Sequence, residues 1–98
     1  MFRHIVLLTL EPETPDARRR AIIDALRMLP GSVESIRSYS CGLDARIAEG
    51  NADVCAVGDF DDEAGYLHYR DHPAHRRVIT ELIAPVLASR SAIQYTLD

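Results

Sequence analysis

Cysteine is scarce and tryptophan is missing: the 98 residues hold two cysteines, Cys41 and Cys55, with no CxxC spacing. That excludes a disulfide framework and leaves a redox or zinc motif without support. Both thiols fall in strand-like segments, where free cysteine behaves as a small buried hydrophobe. Basic charge is in deficit too, with 11 basic against 15 acidic residues and a net charge of −4. A nucleic-acid or anionic-membrane surface is therefore not expected. No apolar run approaches the roughly 20 residues of a membrane span. The opening Met1-Phe2-Arg3-His4 lacks the basic, apolar, small-residue series of a signal peptide, so cytoplasm is the expected compartment. The length gives no room for two domains, and one is expected over 1–98. A chain this short buries roughly 60–70% of its unfolded surface, so its core is thin.

What the chain does have is a concentration of titratable rings. Three of its four histidines, His68, His72 and His75, lie within ten residues of Tyr66 and beside Tyr69. Imidazole exchanges its proton near neutral pH, and a phenol can donate to a developing oxyanion. The clustering points to a polar wall facing something other than bulk water.

Residues 2–10 are almost continuously apolar and are followed by Pro12 and Pro15, which predicts a strand. Thr14 as N-cap with Pro15 in the first turn then predicts a helix. Its apolar stripe is Ala21, Ala25 and Met28 with Ile22, Leu26 and Leu29, and Pro30-Gly31 stops it. The Arg18-Arg19-Arg20 run fans around that helix and reads as a solvated face. A second strand is expected over 33–41 and a loop over 43–52. A third strand over 53–60 puts Val54, Ala56 and Phe60 on one face and Cys55 and Val57 on the other. Asp61-Asp62 opens a short helix reaching about residue 71. Pro73 starts another helix, which Pro85 should kink or end. Its buried face is Val78, Ile79, Leu82, Ile83 and Val86. The last strand is expected over 91–97, with Ile93, Tyr95 and Leu97 on one face.

The resulting order, β-α-β-β-α-(α)-β, is an α+β, ferredoxin-like split βαβ plan with a four-stranded antiparallel sheet. Helices cover one side of such a sheet. The first strand is apolar on both sides, Phe2, Val6 and Leu8 alternating with Ile5 and Leu7, so its second side wants a cover as well. A second copy of the chain, sheet against sheet, supplies that cover most simply and predicts a homodimer.

Several segments together resemble a known family: Phe2-Arg3-His4-Ile5-Val6-Leu7, Leu29-Pro30-Gly31, Ile36-Arg37-Ser38-Tyr39 and Gly50-Asn51-Ala52-Asp53. Asp59-Phe60-Asp61, Tyr69, His72-Pro73-Ala74-His75 and Gln94-Tyr95 complete the pattern. The chain is similar over essentially its whole length to the stress-responsive dimeric α+β-barrel proteins. The resemblance implies a dimeric barrel closed by two sheets. That family includes plant polyketide cyclases of the olivetolic acid type, which perform an intramolecular aldol condensation. By motif, their acid/base histidine falls on His75, its assisting tyrosine on Tyr69 and a further pocket histidine on His4. Asp53 stands near the place of another cyclase histidine and changes the charge there.

His75 and Tyr69 are thus the candidate catalytic pair, with His4, Asp53 and Tyr39 as candidate binding residues. In the first turn of a long helix, His75 would be kept a neutral base by the positive helix end. The competing view has it donating to a strand carbonyl. Asp53 could orient a histidine, whereas Asp59 is expected to end its strand and cap the helix. His72 is expected to bond backbone at the helix junction. Pro73 breaks the register between His68, His72 and His75, so no metal site is expected. Tyr39 and Tyr95 are expected to be barrel-wall residues, and Phe2 and Phe60 core. No cofactor is implied. The expected activity is cofactor-free acid/base chemistry on a small carbonyl or phenolic metabolite. Alternatives are a non-enzymatic stress-responsive binding dimer and, below it, a cofactor-independent monooxygenase.

Overall fold

A computed structural model describes residues 1–97. Strand β1 (Phe2–Leu10) leads to helix α1 (Asp16–Met28), then β2 (Ile36–Leu43), β3 (Val54–Phe60), helices α2 (Glu63–Asp71) and α3 (Pro73–Val78), and β4 (Leu87–Thr96). The sheet order is β2-β3-β1-β4 and every pairing is antiparallel. This is the ferredoxin-like α+β fold, built around β1 as a central strand.

The two-residue period of β1 divides the sheet. His4, Val6, Leu8 and Leu10 are buried beneath the helices, packed on Ile22, Ile23, Leu26, Phe60 and Tyr69. Arg3, Ile5 and Leu7 point to the opposite face beside Asp59, Val57 and Cys55 of β3 and Tyr95, Ile93 and Ser91 of β4. That second face is apolar and open: Leu7 is 41% exposed and Ile93 57%. At its edge the Arg3 guanidinium makes a two-pronged contact with Asp59, 2.7 and 2.9 Å, and Ser38 Oγ donates to the same carboxylate at 2.9 Å. Asp59 is therefore a buried, in-strand anion on the sheet face and does not cap a helix; Asp62 does, accepting from Gly65 N–H.

Several boundaries move for local reasons. Thr14 is not the cap of α1: its hydroxyl donates to the Glu11 carbonyl, and Pro15 occupies the N-cap position. Met28 is 73% exposed and off the apolar stripe, which Ile23 joins instead. Strand β2 begins at Ile36, because Leu29–Gly31 tightens into a 3₁₀ turn whose bonds carry Val33 into the core. A π turn over Ile79–Ile83 precedes Pro85, with Ala84 N–H reaching Ile79 C=O, so the bonding pattern widens where proline removes a donor. Of the face expected for this region only Ile83 is buried; Val78, Ile79, Leu82 and Val86 are partly so. The early break lets β4 start at Leu87, with Leu10 opposite it.

Arg19 is not part of a solvated face. It is 7% exposed, its Nη1 2.7 Å from Asp53 Oδ1, while Asp53 Oδ2 accepts from Leu10 N–H at 2.7 Å. One carboxylate thus ties α1 to the end of β1. Removing it would leave a buried guanidinium without its counter-charge, which is costly. Asp53→Ala is expected to lower stability by about 3 kcal/mol in urea unfolding. The same change in an Arg19→Met background should cost clearly less.

Candidate functional site

Beneath the helices lies a cavity of about 190 Å³, floored by His4, Val6 and Leu8 and walled by Tyr39, Tyr66, Tyr69 and His75. Leu26, Ile79, Ile83 and Leu87 supply apolar lining, and Arg70, Arg76 and Arg90 complete it. The volume lies below the roughly 300–1,000 Å³ of sites for drug-sized ligands, so it suits a molecule of about one ring. A wider, more open depression of about 410 Å³ sits near Leu7, Leu43 and Asp53 and includes no histidine or tyrosine.

Each ring is placed by its element. Helix α2 turns Tyr66 and Tyr69 inward one turn apart. His72, extended before proline, ends that helix and caps the next, its Nδ1 accepting from Ala74 N–H at 3.0 Å. The chain thereby folds back so that the His75 ring lies 4.2 Å from that of Tyr69, centroid to centroid. The Tyr39 and Tyr69 hydroxyls are 3.0 Å apart. Tyr39 can lie there because its cross-strand neighbour is Gly58, where a Cβ would come within 3.2 Å of the Tyr39 and Phe60 rings. His4 packs on Tyr66 at 4.8 Å, and its Nδ1 accepts from Gln94 Nε2 at 2.8 Å, across a directly paired register.

Tautomers follow from these partners. His75 Nδ1 lies 3.0 Å from the Arg70 carbonyl oxygen, which can only accept, so Nδ1 carries the proton and Nε2 keeps its lone pair. In neutral His4 the proton sits on Nε2, because Nδ1 receives the Gln94 amide. Burial pushes the His4 pKa down to about 4, with the Arg90 and His75 charges acting in the same direction. Burial also lowers His75, reinforced by Arg76 and Arg90 and opposed by its bond to the Arg70 carbonyl. Its neutrality thus comes first from desolvation, not from a long helix: α3 spans only Pro73–Val78, and the carbonyl it meets ends α2 rather than lying in a strand. Burial pushes Tyr69 up to about 12 and raises Tyr39 as well, so both phenols keep their protons.

His4, Tyr39, Tyr69 and His75 therefore share one cavity. Asp53 does not: it holds Arg19 and Leu10 at the other end of β1 and orients no imidazole. Tyr95 lies on the open sheet face, opposite to Tyr39. Phe60 is core, while Phe2 is half-buried. His68 is exposed and packs edge-on to His72 at 5.5 Å, away from His75. Among the described residues no group of three His, Cys, Asp or Glu could hold a metal ion. No helix there is long and apolar enough to cross a membrane. Tyr66 belongs to the ring cluster seen in the sequence, whereas Gln94 and Arg90 were not assigned to the site; for Gln94 the cross-strand pairing with His4 is the missing signal.

A split βαβ sheet with helices on one face and a small, ring-lined cavity beneath them defines a ferredoxin-like α+β protein. The family model for the stress responsive A/B barrel domain (Dabb) matches residues 2–97, and the chain belongs to that family. It is similar to a dimeric ferredoxin-like protein of unknown function from Thermobifida fusca YX: 38% identity, covering 98% of this chain and 90% of that one, TM-score 0.89. A dimeric protein of unknown function from Bacteroides fragilis is 24% identical, covering 98% and 95%, TM-score 0.86. The hydroxynitrile lyase of Passiflora edulis is 16% identical, covering 99% and 93%, TM-score 0.84, a likeness of fold. No curated protein matches the chain.

The depressed histidines fix a pH signature. Each is neutral in both states above the ordinary value of 6.5. As pH falls below 6.5 the unfolded chain takes up protons that the folded one refuses, so stability drops. For His4 the loss runs from 6.5 to about 4 and is on the order of 3 kcal/mol. The lowered carboxylates Asp59, Asp61 and Asp71 lose their contributions only below the ordinary carboxylate value of 3.8, outside this window. Urea unfolding of His4→Gln should show a clearly flatter slope between pH 6.5 and 4 than wild type.

Proposed function

We propose that this protein is a homodimer, joined through the open sheet face, whose cavity binds a small carbonyl or phenolic metabolite and carries out cofactor-free acid/base chemistry. The observation that carries this reading is His75: a half-buried imidazole with Nδ1 committed to a carbonyl, its Nε2 lone pair uncommitted, stacked by Tyr69 in an enclosed cavity. His75 Nε2 takes the proton from a carbon next to a carbonyl, and the C–H pair becomes an enolate. Either hydroxyl can donate in the Tyr39–Tyr69 pair, and with Tyr39 as donor the Tyr69 proton is free for the enolate oxygen; His4 Nε2–H is a second donor. In a cyclase-type reaction the enolate carbon then attacks a second carbonyl of the same molecule. The alkoxide so formed recovers the proton from His75. The Passiflora lyase shares the fold, and at 16% identity its activity does not transfer.

On this reading His75→Ala keeps its melting temperature and loses about 10²–10⁴-fold in turnover of a β-keto or aromatic carbonyl substrate. Tyr69→Phe loses less and leaves the fold intact. A drop in melting temperature for His75→Ala, with no ligand found across a panel of aromatic and β-keto compounds, would instead favour a non-enzymatic binding dimer.

The open face supports the dimer, since Ile5, Leu7, Val57 and Ile93 form a contiguous apolar surface across three strands. A carboxylate in its middle would be buried unpaired against the second copy. Leu7→Asp is expected to sediment as a monomer at micromolar concentration where the parent chain sediments as a dimer.

A further inference from the structure

The positive charge around the cavity has no counterpart within it. Three arginines line the cavity, and no Asp or Glu does so among the described residues. Arg70 is already satisfied by Asp71, at 2.9 and 3.1 Å. Arg76 and Arg90 make no ion pair among the described residues, although the chain forms several elsewhere. Arg90 projects from β4 on the helix-covered side, directly paired with Leu8 of the cavity floor. Arg76 is the residue after His75 and lines the same cavity. After burial, the Arg90 charge is the next cause lowering His4, and it also acts on His75 and Tyr69, so its field covers the acid/base group. The two imidazoles are neutral there and the phenols protonated, so no anionic side chain among the described cavity residues faces these solvent-exposed cations.

Resting on the acid/base reading above, we propose that the ligand carries a carboxylate, held by Arg90 with Arg76 at the cavity mouth while its carbonyl or phenolic end lies between Tyr69, His4 and His75. A guanidinium presents paired N–H donors that match a carboxylate's two oxygens, and charge-assisted bonds of this kind are about twice as strong as neutral ones. The cavity size limits the remainder of the ligand to about one ring or a short keto chain. Phosphate shares the guanidinium match, but an acidic group attached to a keto or phenolic body also uses the apolar lining.

The test pairs near-isosteric acids and amides: salicylate against salicylamide, and benzoylacetate against benzoylacetamide, with inorganic phosphate as a third arm. Affinity is read by calorimetry, and location by the ring resonances of His4, Tyr69 and His75. The expected result is that each acid binds at least about tenfold more tightly than its amide and moves those resonances. Arg90→Gln, with an unchanged melting temperature, should reduce that preference to near unity, with amide affinity unaltered; Arg90→Lys should restore part of it. Acids and amides binding equally at these rings would overturn the carboxylate while leaving the acid/base pocket standing. A preference for acids that survives in both Arg90→Gln and Arg76→Gln would overturn the assignment to these arginines. Phosphate binding as tightly as salicylate would overturn the carboxylate-bearing ligand. No response of the three rings to any acid or amide at millimolar concentration would overturn both readings together.

Discussion

The pleat of β1 is the constraint on which everything else depends. Successive side chains of a strand point to opposite faces, so nine residues give the central strand two unlike surfaces. His4 goes under the helices with Val6, Leu8 and Leu10; Arg3, Ile5 and Leu7 go to the open side. A one-residue slip would put an arginine in the cavity and an imidazole on the open sheet face. Two devices hold the register. Asp53 grips the Leu10 N–H at one end, and the Arg3–Asp59–Ser38 cluster locks the other across three strands. Both are charge-assisted, and they lie at opposite ends of the same strand.

That alternation was legible in the sequence, and so were β1 itself, β3 to within one residue, a start of α2 at Asp61-Asp62 and the break at His72-Pro73. Each is written in local chemistry: apolar periodicity, an acidic cap, a proline in a first turn. What stayed hidden depended on partners far along the chain. Arg19 looks like the middle of a solvated run until Asp53 is seen beside it, 34 residues away. Asp59 looks like a terminator until Arg3 reaches it across β1 and β3. The start of β2 slipped because Val33 is apolar enough for a strand yet is drawn into the core by the 3₁₀ turn before it.

The site shows the same division. His75, Tyr69 and Tyr66 are near neighbours in sequence, so their clustering could be read directly. Their meeting with His4 and Tyr39 comes only through the sheet, by the pairing that sets His4 beside Gly58 and Gly58 beside Tyr39. Asp53, which the resemblance set near a cyclase histidine, lies outside this cavity for the complementary reason: nearness to a strand start does not say which end of the sheet the cavity occupies. Gln94 is fixed to His4 by strand pairing alone, across 90 positions.

The chemistry available is limited by how His75 is kept neutral. Desolvation ensures an unprotonated ring at neutral pH but also makes it a weaker base than free imidazole. Such a base removes a proton from carbon only if the resulting charge is stabilised as it forms. Hydrogen-bond donors that keep their proton and stay neutral near pH 7 meet that need, and Tyr69, beside Tyr39, and His4 with its proton on Nε2 are of this kind. Arg76 and Arg90, which form no ion pair among the described residues, act in the same sense, since a positive field stabilises an enolate more than its neutral parent. On the proposed reading, burial, tautomer and charge favour one direction of proton flow, from a carbon acid to His75. The opposite assignment, with His75 as the resting acid, would require a charged imidazole in an enclosed cavity already ringed by cations.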